Sequence, residues 1–197
     1  ARRIPYAGLS GELRWQHDGA HYAARLEIGA PFLGKRVQTS SGDVDAGGLR
    51  PQRYSDRARS ELAAHFEREK GQISFSANTP ATPLLAGAQD RLSILLQLAG
   101  QLEAQPTLAR PGTRWVVQTV GPREAEIWQL ELEAAETLDL PGGPTATWRL
   151  VRAPQREYDT RVEVWLAPAR HHLPVQLRLT QASGDRVQLT LESADNP

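Results

Sequence analysis

The stretch YDTRVEVWLAPARHHLPVQLRLTQASGDRVQLTLE, running from Tyr158 to Glu192, decides the fold class. Val162, Val164 and Leu166 alternate with Arg161, Glu163 and Trp165. Val175, Leu177 and Leu179 then alternate with Gln176, Arg178 and Thr180, and Val187, Leu189 and Leu191 with Gln188 and Thr190. Successive side chains on an extended chain point to opposite faces. A period of two therefore marks strands buried on one face and wet on the other, the habit of antiparallel sheets. The connections Ala167 to Pro174 and Ala182 to Asp185 are short enough for hairpins. Trp165 falls on the phase of Arg161 and Glu163, so it either covers a second small core or lines a groove.

The same pattern extends toward the N-terminus. Leu9, Gly11, Leu13 and Trp15 alternate with polar residues up to His17-Asp18-Gly19, and the alternation resumes at Tyr22, Ala24, Leu26 and Ile28. Asp-Gly between two such runs predicts a hairpin turn. Further strands are expected over Lys35 to Ser41 and Asp45 to Ser55, with Gly42, Gly47 and Gly48 available for positive φ. Ser60 to Glu69 fits a helix by composition and a strand by the phase of Leu62, Ala64 and Phe66. Strand is preferred because Gly71 to Ala77 reads as its hairpin partner. Strands are also expected over Arg114 to Val120, Ala125 to Leu138 (Trp128, Leu130 and Leu132 inward) and Thr145 to Val151.

A helix is predicted from about Ala88 to Ala104. Leu92, Leu95, Leu96, Ala99 and Leu102 recur at helical spacing, and Ile94 and Leu98 widen the stripe beyond what a surface helix needs. Such a helix must be covered on most sides. Asp90 stands where a carboxylate stabilises a helix start. The expected architecture is one domain, residues 1–197, mainly β. It is a strongly curved antiparallel sheet, an open or half barrel of about ten strands, with one main amphipathic helix packed in or across its concave side.

Composition narrows function by exclusion. The 23 basic residues balance 23 acidic ones, and all but Lys35 and Lys70 are arginines spread along the chain, so neither net charge nor a basic stripe points to nucleic acid. Cysteine is absent, which excludes disulfides and thiol catalysis. No apolar run approaches the ~18 residues of a membrane span. Methionine is absent even at position 1, so the expectation is a removed signal, membrane anchor or trimmed start.

No motif carries a reaction. There is no Gly-x-Ser-x-Gly, P-loop or dinucleotide fingerprint, and no cofactor is implied. His17 and His21 flank a turn, and His171 and His172 are neighbours that on an extended chain point apart, so no metal ligands are assigned. Asp43, Asp45 and Gly47-Gly48 resemble part of a calcium loop, but Tyr54 occupies the position where its glutamate belongs, so they read as a turn. Carboxylate pairs such as Glu131 with Glu133, or Glu61 with Glu67, read as surface charge. Placed across a cleft, acids of this kind could support hydrolysis.

An ordered set of segments resembles one family. They are Ser40-Ser41-Gly42, Gly48-Leu49-Arg50-Pro51 with Arg53-Tyr54, Phe66 to Gly71 and Gln89 to Ser93. Tyr158-Asp159, Trp165-Leu166-Ala167-Pro168, Leu173-Pro174-Val175 and Gly184-Asp185 complete it. In order and spacing they look like the bacterial domain-of-unknown-function 3108 family, from about Leu9 to Ser193. The resemblance implies a periplasmic protein of Gram-negative bacteria, soluble or tethered to the inner membrane. It also implies a curved sheet similar to the carriers that move lipoproteins, which hold acyl chains in a half-barrel. It carries over no catalytic residues. Gly48, Pro51 and Pro174 read as backbone devices and Asp90 with Ser93 as helix capping, leaving Arg50, Arg53 and Arg91 as polar positions able to hold a carboxylate or phosphate head. With Leu95, Leu98 and Trp165 they form the candidate ligand site. The expected function is a non-catalytic envelope binding module holding a lipid, an acyl chain or a segment of an envelope protein partner. The alternative is a hydrolase of envelope polysaccharide or peptide, using acidic residues and a groove around Trp165.

Overall fold

The computed structural model describes residues 4–6, 9–30 and 34–194. The first half of the chain is an eight-stranded sheet in which each strand pairs with the next. Its strands are β1 (Ile4–Tyr6), β2 (Leu9–His17), β3 (His21–Ala30), β4 (Gly34–Asp45), β5 (Gly48–Arg57), β6 (Glu61–Glu67), β7 (Gln72–Phe75) and β8 (Thr82–Pro83). The two-residue β9 (Gln89–Asp90) leads into helix α1 (Ser93–Ala104). A second sheet follows, again in sequence order: β10 (Arg114–Val120), β11 (Ala125–Leu140), β12 (Gly143–Arg152), β13 (Arg161–Ala167), β14 (Leu173–Thr180) and β15 (Arg186–Thr190). β9 joins its edge in parallel with Thr119 and Val120.

Local chemistry makes these elements. At the β2–β3 turn Asp18 Oδ1 accepts the backbone N–H of Ala20 and His21, and Gly19 takes a φ of 89°. Glu61–Glu67 is a strand paired with Gln72–Phe75, because pairing satisfies its backbone and buries Ala63, Ala64 and Phe66. β4 runs longer than its sequence pattern, and β5 is displaced, starting at Gly48 rather than Asp45 and ending at Arg57. β4 passes through Gly42 to Asp45, and the turn is Asp45 to Gly48. Gln52 is the extra residue of a bulge there, and a side chain on Gly42 would collide with the backbone of Arg50 and Pro51.

The helix is shorter than its apolar stripe, starting at Ser93 rather than Ala88. Gln89 and Asp90 are drawn into the second sheet, and the Asp90 carboxylate then accepts the N–H of Leu92 and Ser93 at 2.9 and 2.7 Å. Ser93 Oγ returns a bond to the Asp90 N–H, a reciprocal cap. The wide stripe has a physical cause. Leu92 and Leu96 pack into the first sheet's core with Tyr54, Phe66 and Ile73, while Ile94, Leu95, Leu98 and Leu102 pack into the second's with Leu130, Leu132 and Leu150. Burying a leucine side chain fully is worth about 2 kcal/mol, so the helix is held by both walls at once.

The fold is mainly β with a helix inside, as expected, but the described residues form fifteen strands in two sheets instead of about ten in one. The short strands β1, β8 and β9 carry too few residues to show a period. The two sheets approach along β2 and β15, where a Cβ on Gly11 would touch Leu189 at 3.5 Å. They are tied again near the helix start by Ser40 Oγ donating to Asp90 Oδ2 and Gln89 Nε2 to the Leu49 carbonyl.

Bulges also reset phase. Val175 is the extra residue where β14 slips against β13, so it leaves the row of Leu177 and Leu179. With Leu191 it joins Trp165, Leu140 and Ala167 in a small core on the sheet's outer face. Trp165 therefore covers a second core and does not line a groove.

Candidate functional site

Beside the start of α1 the two sheets part, leaving a cleft of about 300 Å³. Its apolar wall comes from three sources: Leu26 on the first sheet, Leu95 on the helix, and Trp128, Val162, Leu177 and Leu179 on the second sheet. Strand pairing places the last of these side by side, since Val162 lies opposite both Arg152 and Leu179.

The mouth is polar. On the first sheet, Arg36 Nε and Nη2 donate to the two oxygens of Asp56 at 2.8 and 2.6 Å, and Gln38 adds a bond at 3.0 Å. Burial alone would raise the Asp56 carboxyl, but the Arg36 and Gln38 bonds outweigh it and hold it below the usual range. At the helix start Arg91 lies against Gly121, where a Cβ would meet its guanidinium carbon at 2.8 Å, and its Nη2 donates to Glu124 Oε1 at 2.5 Å. On the second sheet Arg152 is only 4 % exposed and its guanidinium carbon stands 5.2 Å from the Trp128 ring centre. It donates to the Thr160 carbonyl at 2.7 Å and to Asp159 at 3.1 Å. Asp159 also accepts the N–H of Gln155 and Arg156, which folds the 153–160 loop around one carboxylate and leaves Tyr158 at the mouth, 83 % exposed.

Behind this opening lies a buried polar chain. Tyr22 Oη donates to Ser40 Oγ at 2.8 Å, and Ser40 donates to Asp90 at 2.5 Å. Burial pushes the Asp90 carboxyl up to about 6, against the pull of Ser40 and the two helix N–H groups.

Of the expected ligand residues, the cleft brings together Arg91 and Leu95. Leu98 is fully buried in the core. Arg50 pairs with Asp45 at 3.4 Å beside the hairpin turn, and Arg53 pairs with Glu61; neither lines the cleft. Trp165 donates Nε1–H to Glu136 at 2.6 Å beneath Arg178, far from a role in this opening. Sequence reasoning missed Arg36 and Arg152. Arg152 gave a usable signal, because it shares its strand phase with the buried Leu150, and a charge on an apolar phase marks a site edge.

The acids considered for hydrolysis are engaged elsewhere. Glu131 pairs with Arg114 at 2.8 Å, Glu133 with Arg149 at 3.1 Å, Glu67 with Lys70 at 3.4 Å and Glu61 with Arg53, and Glu163, on the strand of Trp165, sits buried among Arg149, Arg161 and Arg178. None of them lines the cleft. His171 and His172 are not on extended chain: both have left-handed φ, 52° and 54°, so their Nδ1 atoms converge on Glu103 at 3.4 and 2.8 Å. Among the described residues no group of three or more acidic or histidine side chains is arranged to hold a metal ion. No described helix is long and apolar enough to cross a membrane.

Known proteins place the fold but no reaction. No curated protein matches the sequence. The crystal structure of a β-barrel-like protein of domain of unknown function DUF1849 from Brucella abortus is similar in fold, with a TM-score of 0.52 and 12% identity over 98% of this chain and 94% of that one. Residues 13–192 match the family described as Protein of unknown function (DUF3108), and the chain belongs to that family.

Proposed function

We propose that this DUF3108 protein is a non-catalytic binding module of the cell envelope whose ligand is a small single-chain amphiphile. The observation that supports the reading is the cleft itself, with Leu95, Trp128, Val162, Leu177 and Leu179 on its wall and paired charges at its mouth. Small-molecule sites are mostly apolar concavities with a few placed polar groups, in the range of about 300–1,000 Å³. At about 300 Å³ this one sits at the lower limit, which favours one short chain over a multiply acylated lipid.

Saturable binding of the neutral dye Nile red, read by fluorescence, tests the reading. Leu179→Glu should weaken it by about tenfold or more, because a partly exposed wall position becomes a charge in the ligand's path. Unchanged dye affinity in that variant, or no saturable binding at all, sinks the proposal. A co-purifying peptide seen by native mass spectrometry would instead assign the cleft to a segment of a partner protein.

A further inference from the structure

Resting on that reading, we infer that the cleft selects an amphiphile with an uncharged head bearing hydroxyl, ester or amide groups, such as a monoacylglycerol, and disfavours free carboxylates and amines. The argument is the state of the charges at the mouth. Arg36 is matched by a two-point pair with Asp56, and Arg91 by Glu124. Arg152 and Arg156 share Glu126 and Asp159. Four arginines thus face four carboxylates, with no net charge left to recruit an ion.

A carboxylate that reaches the buried part of the mouth must take Arg152 from its partner. That strands an acid in a site where Arg152 and Asp159 have side chains 5% and 9% exposed. Breaking a desolvated pair in this way leaves an uncompensated charge, which costs more than the new pair returns. An ammonium head meets the mirror-image difficulty. Among the described residues Arg91 Nε and Arg152 Nε lack a partner but are buried out of a ligand's reach, and three neutral side chains on the lining keep open hydrogen-bonding capacity. Gln38 commits its Nε2 to Asp56 and keeps Oε1 free; Gln181 accepts from Thr160 through Oε1 and keeps Nε2 free; the Tyr158 hydroxyl has no partner among the described residues. One acceptor, one donor and one group that does both fit the edge of a glycerol ester or an amide.

Displacement of bound Nile red by monolaurin, laurate and dodecyltrimethylammonium, each below its micelle threshold, tests the inference. Monolaurin should displace at about tenfold lower concentration than either ion, with an affinity that salt leaves unchanged. Glu124→Gln frees Arg91 and should shift the laurate-to-monolaurin displacement ratio several-fold toward laurate. Equal displacement by all three, or a laurate preference in the unaltered protein, overturns the head selectivity and leaves the amphiphile reading standing. Dye that binds but yields to none of them overturns the amphiphile reading itself.

Discussion

The two ends of α1 lie between the same pair of sheets, yet one is sealed and the other open. Around Leu98 and Leu102 the second sheet contributes Leu130, Leu132 and Leu150, and both helix residues are fully buried. Around Leu95 the lining is instead Arg152 at the end of β12, Thr160 and Gln181 just outside β13 and β14, and Glu126 on β11, and the walls stand apart. The helix is buried on more sides at its start, from Ser93 to Ala99, than at its end, where only Leu102 is buried, so the width of its stripe does not make the hollow. What makes a hollow is therefore the choice of residue at the strand ends facing it: large apolar groups interdigitate and close, whereas ion-paired arginines keep their heads at the surface and hold the walls open.

The sharpest way to break this comparison is at the sealed end. Leu98→Ala should cost about 3 kcal/mol, seen as a lower denaturation midpoint, because it leaves a cavity among packed neighbours. Nile red affinity should stay within about twofold. A lost ligand signal in a variant that is still folded would mean that the hollow runs the whole length of the helix.

Midway along the helix, Gln97 anchors it to the β4–β5 turn, accepting the Leu49 N–H at 2.8 Å and donating to the Gly47 carbonyl at 2.9 Å. Gly48 permits the approach: its φ is 105°, and a Cβ would lie inside contact distance of the Gln97 amide. Gly48→Ala should destabilise by about 2 kcal/mol through strain and loss of the anchor. Wild-type stability in that variant would show that the turn is not what fixes the helix.

The open end carries the smallest effect and the most specific signature. The Asp90 carboxyl is raised in the folded protein to about 6 by burial, above its unfolded value. The folded state therefore holds the proton more tightly. The stabilisation from that difference is complete below the unfolded value and is lost as pH rises through about 6. Between about pH 5 and about pH 8 it amounts to about 1 kcal/mol of declining stability. Denaturant titrations of wild type and Asp90→Asn should show that decline only in the wild type, since the amide keeps an acceptor for Leu92 and Ser93. Parallel pH profiles would remove Asp90 as the titrating group.

The candidate site was legible only in pieces. Arg91 and Leu95 came from a motif and a helical stripe that survive as local features. Arg50 and Arg53 belonged to the same set of motif arginines, but strand pairing delivers them to Asp45 and Glu61. Trp165 announced itself by being out of phase, and its small core could be foreseen as an alternative. The membership of Val175 and Leu191 in that core could not, because a single extra residue in β14 inverts the alternation that sequence phase relies on.

By itself the sequence determined the all-but-helixless β character, the hairpins, the strand reading of Glu61–Glu67 and the inward faces of Trp128, Leu130 and Leu132. Each of these follows from backbone geometry acting over a few residues, where side-chain period and turn chemistry are sufficient. The tertiary structure alone decided the division into two sheets, the early capture of Gln89 and Asp90 by β10, the pairing of every arginine at the mouth, and the cleft itself. Those depend on which distant strand ends meet: Leu26 comes to face Leu179, and Arg152 comes to lie over Trp128. No local pattern encodes such encounters, because they are fixed by the register and bulges of the sheets as a whole.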